Sequence, residues 1–201
     1  MAEPRRPRAA TLEKRERILD ATEEIMLKDG YAAVSSRSVA AAVGIQAPLV
    51  HYHFASLDDL FVAVLERRAG RNVERMAAAL TSPEPMRAWW RLASDTRGTA
   101  LFVELLAAAN HRPALKAEVG AIARDVRRMQ MGALDSLLAE YGIDPMAFPP
   151  ALIAAAVQGL AFSAVQDLAA GYDTAPEEAI AGMERFIDRL ESERRQRRSM
   201  S

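Results

Sequence analysis

Apolar residues recur along this chain at intervals of three and four, which is the spacing of one face of an α-helix. The repeat is sustained over three long stretches, Leu12–Asp29, Leu57–Leu80 and Pro113–Tyr141. The chain shows no alternation of strands and helices of the kind that builds a nucleotide-binding fold. The pattern therefore predicts an all-α protein.

Helix-breaking residues divide the rest of the chain into shorter helices. Loops are predicted at Thr81–Pro85 and between Asp144 and Pro150, where proline and turn residues cluster. The segments beside these loops predict four further helices, which are Met86–Asp95, Thr99–Asn110, Pro150–Ala170 and Pro176–Glu191. Together with two short helices described below, the periodicity predicts about nine helices in total.

The segment Pro150–Ala170 is apolar on nearly all sides, and its length would nearly span a bilayer. Its polar residues Gln158, Ser163, Gln166 and Asp167 would be costly inside a membrane. A helix of this type is otherwise buried in protein, often against a partner subunit. We therefore expect no membrane span, and we expect the last two helices to pair with their copies in a four-helix homodimer interface.

Thr174 and Glu177 have the spacing of a capping box for the last helix.

The segment Ser35–Asp59 predicts two short helices, a tight turn between them and the start of a third. Ser35 or Ser36 can cap the first helix, and Gly44 can end it because glycine adopts a positive φ without steric cost. The second short helix, from Ala47 onwards, has a largely polar outward side. A short helix, a glycine turn and a second short helix form the spacing of a helix-turn-helix motif, so these residues predict DNA recognition.

Composition and charge narrow the possible chemistry. The chain has no cysteine, which excludes disulfides and thiolate sites. The net charge of −1, with eight basic against seven acidic groups in residues 1–54, predicts weak nonspecific binding to DNA. No apolar run of signal-peptide length follows the basic first residues, so we expect a cytoplasmic protein.

Both ends of the chain are basic, and residues 1–10 and 193–201 are predicted to be solvated, disordered tails. An alternative for the first tail is that Pro4–Arg8 enters a narrow minor groove of DNA, where the negative potential favours arginine.

The residue types needed for catalysis or metal binding are not arranged for it. His51 and His53 lie two residues apart, so on a helix they point to different sides, and no third ligand can be placed. Serines 35, 36 and 38 have no positioned base, and helix capping explains them better than nucleophilic catalysis. We expect no metal, no cofactor and no enzymatic activity.

A set of spaced residues in the first third of the chain resembles the DNA-binding domain of the TetR family of one-component repressors. The matching positions are Gly30-Tyr31, Val39-Ala40, Val43-Gly44-Ile45, His51-Tyr52-His53-Phe54 and Ser56-Leu57-Asp58-Asp59-Leu60. The resemblance implies a three-helix DNA-reading domain, a helical ligand-binding and dimerisation domain, and release of DNA when a small molecule binds. The family usually has Tyr at the position of His51 and Lys at that of Leu57, and both residues commonly contact DNA phosphates. Binding to the phosphates is therefore expected to be weaker in this protein, or to be supplied by other groups.

The residues expected to contact DNA lie on the two short helices. Base edges are expected to be read by Gln46, Ala47, Leu49 and Tyr52, with Pro48 beside them in the first turn. Contacts to the DNA backbone, or orientation of other side chains, are expected from Ser35, Ser36, Arg37, His51 and His53.

The second half of the chain contains material for a small-molecule pocket, which is typically apolar with a few polar groups. The candidate lining residues are Met86, Trp89, Trp90, Phe102, Glu104, Leu105, Asn110, Met129, Met131, Gln158, Phe162 and Gln166. Ordinary core packing is the alternative for each apolar member, because helical bundles need such residues in any case. A pocket of this composition would suit a hydrophobic or acyl-type effector.

These expectations divide the chain into a DNA-binding domain over residues 11–56 and a ligand-binding and dimerisation domain over residues 57–192. The expected function is ligand-responsive repression from a palindromic operator, with two recognition helices about 34–36 Å apart in successive major grooves. The alternatives are an enzyme with a helical body, and a helical interaction module or regulator that has lost DNA binding or ligand response.

Overall fold

The computed structural model describes residues 6–171 and 177–199, and this part of the chain contains helices and no strand. The all-α prediction is therefore confirmed. A short 3₁₀ helix, Tyr31–Ala33, follows the first α-helix. The α-helices are α1 Arg6–Asp29, α2 Ser36–Val43, α3 Ala47–His53, α4 Leu57–Leu80, α5 Pro85–Ala93, α6 Thr96–Asn110, α7 Pro113–Glu140, α8 Pro150–Ala170 and α9 Glu177–Ser199.

Helix α1 begins earlier than predicted. It starts at Arg6, whereas the pattern placed the start at Leu12. Pro7 lies in the first turn, where a missing N–H costs no hydrogen bond, and the arginine and alanines that follow favour a helix. The prediction of a disordered tail is wrong for residues 6–10. The proposed minor-groove arm begins at Pro4, and residues 1–5 lie outside the described part of the chain.

Helix α9 ends later than predicted, at Ser199 in place of Glu191. Arg194 lies in this extension with only 5% of its surface exposed, and it pairs with Glu140 and donates to the carbonyl oxygen of Pro83 at 3.0 Å. These bonds dock the last turns of α9, so the predicted tail is wrong up to Ser199. The predicted capping box at Thr174 begins outside the described residues.

Helix α6 begins at Thr96, three residues before its predicted start. The carboxylate of Asp95 accepts a hydrogen bond from the backbone N–H of Gly98 at 3.1 Å, which satisfies one of the free donors of the first turn. An Asp at this position is a strong helix cap, and the apolar periodicity used for the prediction begins only after it.

The first of two compact units comprises the chain up to Arg68 together with Leu101–Ile122. Its core is built from the inward sides of α1 to α4 and from parts of α6 and α7. The largest fully buried residues of this core are Ile18, Leu19, Met26, Leu60, Phe61, Leu105 and Leu115. The helix-turn-helix segment is thus packed by residues from distant parts of the sequence.

The second unit comprises Ala69–Ala100 and the chain from Ala123 onwards. Its core joins α5, α7, α8 and α9, with Trp89, Trp90, Leu137 and Tyr141 at its centre. The units divide the chain by packing and do not follow the predicted boundary after residue 56, so the assignment of functions to 11–56 and 57–192 stays a prediction. Among the described helices, none combines the length and the apolar character needed to cross a membrane.

Candidate nucleic-acid interface and ligand cavity

The amino terminus of α2 is fixed by two serines, each of which accepts a hydrogen bond from the backbone N–H of the other. The Oγ of Ser35 accepts a hydrogen bond from the N–H of Ser38 at 3.0 Å, and the Oγ of Ser38 accepts one from the N–H of Ser35 at 2.9 Å. This is a capping box with serine at its third helical position. Ser35 is therefore the cap, and Ser36 lies in the first turn with its hydroxyl available for another contact.

The turn between α2 and α3 depends on Gly44, which has a φ of 73° and a ψ of 39°. This left-handed conformation would strain any residue with a Cβ, although the space around the position is open. The N–H of Ile45 donates to the carbonyl of Ala40 at 3.0 Å, and the guanidinium of Arg17 donates to that of Val43 at 2.8 Å. The predicted turn is confirmed, and α1 holds it through a bond that the sequence did not indicate.

Helix α3 has one buried and one outward side. Val50 and, just after the helix, Phe54 are buried in the core of the first unit, whereas Tyr52 is 74% exposed. The other predicted DNA-contact residues of this segment divide into the exposed Gln46, Pro48 and His51 and the half-buried Ala47, Leu49 and His53. The structure therefore presents a short helix whose solvent side carries an amide, a phenol and an imidazole.

A hydrogen bond joins the first turn of α2 to the outward side of α3. The Oγ of Ser36 lies 3.0 Å from Nε2 of His51, and the donor depends on which imidazole nitrogen carries the proton. His51 is exposed, as is Arg37, which follows Ser36 in the chain, and Ser36 is half-buried. A hydroxyl, an imidazole and a guanidinium close to a groove-sized helix are the donors that bind phosphate oxygens of DNA.

His53 lies at the carboxyl end of α3, beside Tyr52 in an edge-to-face arrangement with ring centroids 5.2 Å apart. Burial lowers the pKa of His53 below its ordinary value, and the positive charges of Arg15 and Lys14 on α1 lower it further. The neutral imidazole is therefore favoured, and it can donate only one hydrogen bond.

The start of α4 is closed by a second capping box. The Oγ of Ser56 accepts from the N–H of Asp59 at 3.1 Å, and the carboxylate of Asp59 accepts from the N–H of Ser56 at 2.9 Å. Leu57 is half-buried and packs against the core of the first unit, and Asp58 forms an ion pair with Arg112. This connection between α3 and α4 therefore offers no basic side chain to DNA.

Four of the predicted ligand residues lie in the first unit. Leu105 is completely buried and Phe102 packs against the same core, so ordinary packing describes both. One carboxylate oxygen of Glu104 accepts a hydrogen bond from the backbone N–H of Tyr31 at 2.7 Å, and Asn110 is exposed at the end of α6. The partner of Glu104 is thus the main chain that follows α1.

The other eight predicted ligand residues lie in the second unit, and Met129 is the one of them that lines the cavity described below. Met86, Trp89 and Trp90 are core residues, and Met131 packs against them. Gln158 accepts a hydrogen bond from Arg127 at 2.8 Å, Phe162 is half-buried and Gln166 is exposed. The cavity described below therefore takes in one of these eight residues, and a ligand role for the other seven stays a prediction.

The first turn of α5 receives its hydrogen-bond acceptors from the residue that follows α7 and from α9. The N–H of Met86 donates to the hydroxyl of Tyr141 at 3.2 Å, and the N–H of Arg87 donates to the carboxylate of Glu191 at 3.1 Å. Burial raises the pKa of Tyr141, and the carboxylate of Glu191 raises it further. These buried polar groups are explained by closing the amino end of α5.

A cavity of about 160 Å³ lies between α4 and α7 within the second unit. Its walls are almost wholly apolar, and its two amide side chains come from Asn72 and Gln130. The remaining lining residues are Val73, Met76, Ala77, Leu80, Val126, Met129 and Ala133. Val73 and Met129 are 37% and 46% exposed, so the cavity is reachable from solvent.

Most of this lining was missed as a site because its apolar residues were read as the buried sides of two long helices. The available signal was an amide within each apolar stripe, Asn72 on α4 and Gln130 on α7. Periodicity predicts which face of a helix a residue lies on, but it does not predict where the apolar faces of two neighbouring helices are not in contact. The cavity lies where the apolar faces of α4 and α7 are not in contact.

Helix α8 has a second apolar side that the rest of its unit does not cover. Leu152 is 56% exposed, and Ala155, Ala156 and Gly159 are exposed on the same helix. On α9, Phe186 is 51% exposed. The inward residues of α8 are Ala154, Val157, Ala161 and Ala164. Exposed apolar surface of this kind on the last two described helices is available for a protein partner.

Carboxylates cluster in the first unit, but they surround a cation. Arg67 on α4 pairs with Glu16, Asp20 and Glu23 on α1, and its side chain is largely buried. Across the described part of the chain, no group of three or more His, Cys, Asp or Glu residues is placed to hold a metal ion.

Comparison with known families places the resemblance on the helix-turn-helix segment. The family profile described as "Bacterial regulatory proteins, tetR family" matches residues 18–64. No curated protein has a sequence that matches the chain.

Solved structures extend the similarity to most of the chain. The multidrug binding protein EbrR in complex with imidazole is 30% identical, covers 88% of this chain with 94% of its own length, and superposes with a TM-score of 0.52. EbrR in complex with malachite green matches at 25% identity over 89% and 98% of the two chains, with a TM-score of 0.59. A TetR transcriptional regulator from Legionella pneumophila, 23% identical over 87% and 95%, shares the fold with a TM-score of 0.66.

Proposed function

Because this chain belongs to the TetR family of bacterial transcriptional regulators, we propose that it is a repressor that binds a palindromic operator as a homodimer and is released by a small hydrophobic effector. Members of the family are DNA-binding regulators rather than enzymes. The observation that carries the proposal is the outward side of α3, where Gln46, His51 and Tyr52 are exposed while Val50 and Phe54 anchor the helix.

Within this proposal, Gln46 and Tyr52 read base edges in the major groove, together with Ala47 and Leu49 at the start of α3. Glutamine can bond both N6 and N7 of adenine, and small apolar side chains can contact the thymine methyl group. Ser36, Arg37 and the hydrogen-bonded His51 bind the phosphates beside the groove.

The proposed homodimer is formed by α8 and α9. The exposed apolar side of α8, with small residues that allow a close approach, and the exposed ring of Phe186 support an interface with a second copy. Symmetry would then present two α3 helices to half-sites about 34–36 Å apart, centre to centre.

The proposed effector site is the cavity between α4 and α7. An apolar cavity of about 150 Å³ holds one benzene molecule, so a cavity of about 160 Å³ suits a ligand with one aromatic ring or a similar apolar group. The lining contains no charged residue and its exposed wall is almost wholly apolar, which favours an uncharged, apolar effector. EbrR was solved with imidazole, a single aromatic ring, and this complex supports a small aromatic ligand; malachite green, with which EbrR was also solved, is a larger cation.

The proposed mechanism is a shift between populations of the dimer. The effector binds more tightly to a state in which the two DNA-reading helices are separated by a distance that no longer matches the operator. An effector that weakened DNA binding without changing the separation or the mobility of these helices would contradict this mechanism.

Selection of genomic fragments by the full-length protein tests the DNA-binding part. The wild type is expected to enrich fragments that share a palindrome, and Gln46→Ala or Tyr52→Ala is expected to lose this enrichment. Gln196→Ala, an exposed glutamine on α9, is the matched control and should enrich the same fragments. Recovery of unrelated fragments by the wild type would overturn the proposal and favour an interaction module.

Light scattering tests the interface. Leu152→Glu should shift the protein from dimer to monomer, because a carboxylate would be buried against the second copy. Leu12→Glu makes the same change at an exposed leucine of α1 and should leave the dimer intact. A monomeric wild type, or a dimer indifferent to Leu152→Glu, would refute this interface.

Filling the cavity tests the effector site. Ala133→Phe should abolish the stabilisation of the protein by benzene or indole while leaving operator binding intact. Ala139→Phe, at an exposed position of the same helix, should behave as the wild type. Unchanged release of DNA by an identified effector in Ala133→Phe would place the effector elsewhere.

A further inference from the structure

The helix-turn-helix segment is poor in the cations that bind DNA phosphates. Between Arg37 and Arg67 the sequence contains no lysine or arginine. Affinity for DNA depends largely on neutralising phosphates with such side chains. If α3 enters the major groove, any cations besides Arg37 for the adjacent phosphates must come from another part of the first unit.

Helix α1 brings two cations to the carboxyl end of α3. The guanidinium carbon of Arg15 lies 5.1 Å from the ring centroid of Phe54, the residue that follows α3. The charges of Arg15 and Lys14 both reach His53, where, after burial, they contribute to the lowered pKa of that imidazole. Residues 14 and 15 therefore lie beside the last turn of the proposed recognition helix.

The position of Arg15 leaves it suited to bind an anion. Its side chain is 38% exposed, and its nearest acidic partner, Glu16, lies 3.8 Å away and is also bonded to Arg67 at 3.0 Å. A guanidinium held against an aromatic ring can still donate hydrogen bonds from its edge, which is the geometry that binds phosphate. Lys14 is exposed and adds a second charge.

Acidic groups near this end of α3 have partners within the protein. Asp58 pairs with Arg112, and Asp59 is bonded to Ser56 in the capping box of α4. The charge of Asp58 is therefore offset by Arg112, and the amino end of α4 stabilises that of Asp59. The region beside His53 and Phe54 is left with Lys14 and Arg15 as its basic side chains on α1.

We propose that Lys14 and Arg15 form a phosphate-binding site for the DNA backbone next to the groove read by α3. This inference rests on the proposed function, because it requires that α3 faces DNA. It adds residues 14 and 15 of α1 to the DNA-contact residues predicted on and beside α2 and α3. The competing explanation is that Arg15 only covers the ring of Phe54.

The salt dependence of DNA binding separates the two explanations. The full-length protein is titrated against a selected genomic duplex and against a random-sequence duplex over a series of salt concentrations. Each lost phosphate contact should reduce the slope of log affinity against log salt by about 0.9, or about 1.8 when both subunits of a dimer lose one. Arg15→Gln and Lys14→Gln are each expected to lower the slope and to weaken both duplexes by a similar factor.

Two further variants make the result specific. Arg15→Lys keeps the charge and should retain most of the slope. Lys28→Gln removes an exposed cation at the opposite end of the same helix and should leave the slope unchanged. Thermal unfolding identifies any loss of folding in Arg15→Gln, and in that case Lys14→Gln decides the outcome because Lys14 is exposed.

The outcomes distinguish the inference from the function on which it rests. A steep slope in the wild type that falls in the two glutamine variants supports the inference. A steep slope that is the same in the wild type and both variants overturns the inference and leaves DNA binding intact. A wild type that binds neither duplex overturns both.

Discussion

The two candidate sites of this protein are made in different ways. The DNA-reading surface is built by consecutive residues of two short helices and the glycine turn between them, over Ser35–Phe54. The cavity of the second unit is a gap between α4 and α7, whose lining residues lie about fifty positions apart in the chain. A surface made by local sequence can be recognised in the sequence, whereas a gap depends on where two distant helices stop touching.

Residue Leu105 gives the sharpest test of this difference. It was predicted to contact a ligand, yet it is completely buried in the first unit. Leu105→Ala should lower the free energy of unfolding by about 2–5 kcal/mol, because it removes buried surface and leaves a void. Leu106→Ala, at an exposed neighbour, should have little effect. Denaturant unfolding measures both, and a Leu105→Ala protein as stable as the wild type would contradict the packing described here.

Glu104 gives the next largest effect. Glu104→Ala leaves the N–H of Tyr31 without its acceptor, at an expected cost of about 1–3 kcal/mol in stability. Glu104→Gln retains an acceptor oxygen and should cost less. Equal losses in the two variants, measured by chemical unfolding, would show that the carboxylate charge matters and the hydrogen bond does not.

The turn at Gly44 tests the DNA-reading surface, which is the site built from consecutive residues. Gly44→Ala should destabilise the first unit by about 1–2 kcal/mol, because alanine is strained at positive φ. Gly70→Ala, in the body of α4 with open space around it, should stabilise the protein by about 0.5–1 kcal/mol. Thermal unfolding compares the stability of the two variants directly. A Gly44→Ala protein as stable as the wild type would refute the role of this turn.

The smallest predicted effect concerns His53. Because its pKa is lower in the folded protein than in the unfolded chain, protons bind more tightly to the unfolded state. This stability contribution is therefore present above the ordinary histidine pKa and is lost as the pH falls through the folded pKa. Arg15→Gln should raise the pKa of His53, as followed by NMR titration of its ring protons. A pKa unchanged by Arg15→Gln would place the two side chains farther apart than described.

The successes and failures of the sequence-based predictions follow the same division. The turn at Gly44 and the serine cap of α2 could be predicted because caps and turns are determined over a few residues. The role of Arg194 was missed because its partners at Glu140 and Pro83 are distant in sequence. A run of arginines reads as a solvated tail until its partners are known.

The candidate ligand residues show the limit most clearly. Glu104 was predicted to contact a ligand, but in the structure its carboxylate accepts from the N–H of Tyr31, a partner that the sequence could not identify. Trp89 and Trp90 were candidates for a pocket, with ordinary core packing as the favoured alternative, and the structure places them in the core. The sequence showed that these residues are mostly apolar, but only the packing of the helices shows whether each one lies in the core or lines a cavity.

The central claim is that the outward side of α3, in two symmetric copies, reads DNA. The most direct measurement is a footprint of the full-length protein on its selected duplex, with the wild type compared with Tyr52→Ala. The account predicts protection of two major-groove half-sites one helical turn apart, about 10–10.5 base pairs centre to centre, and loss of both in the variant. A single protected patch without symmetry, or a footprint that Tyr52→Ala leaves unchanged, would contradict it.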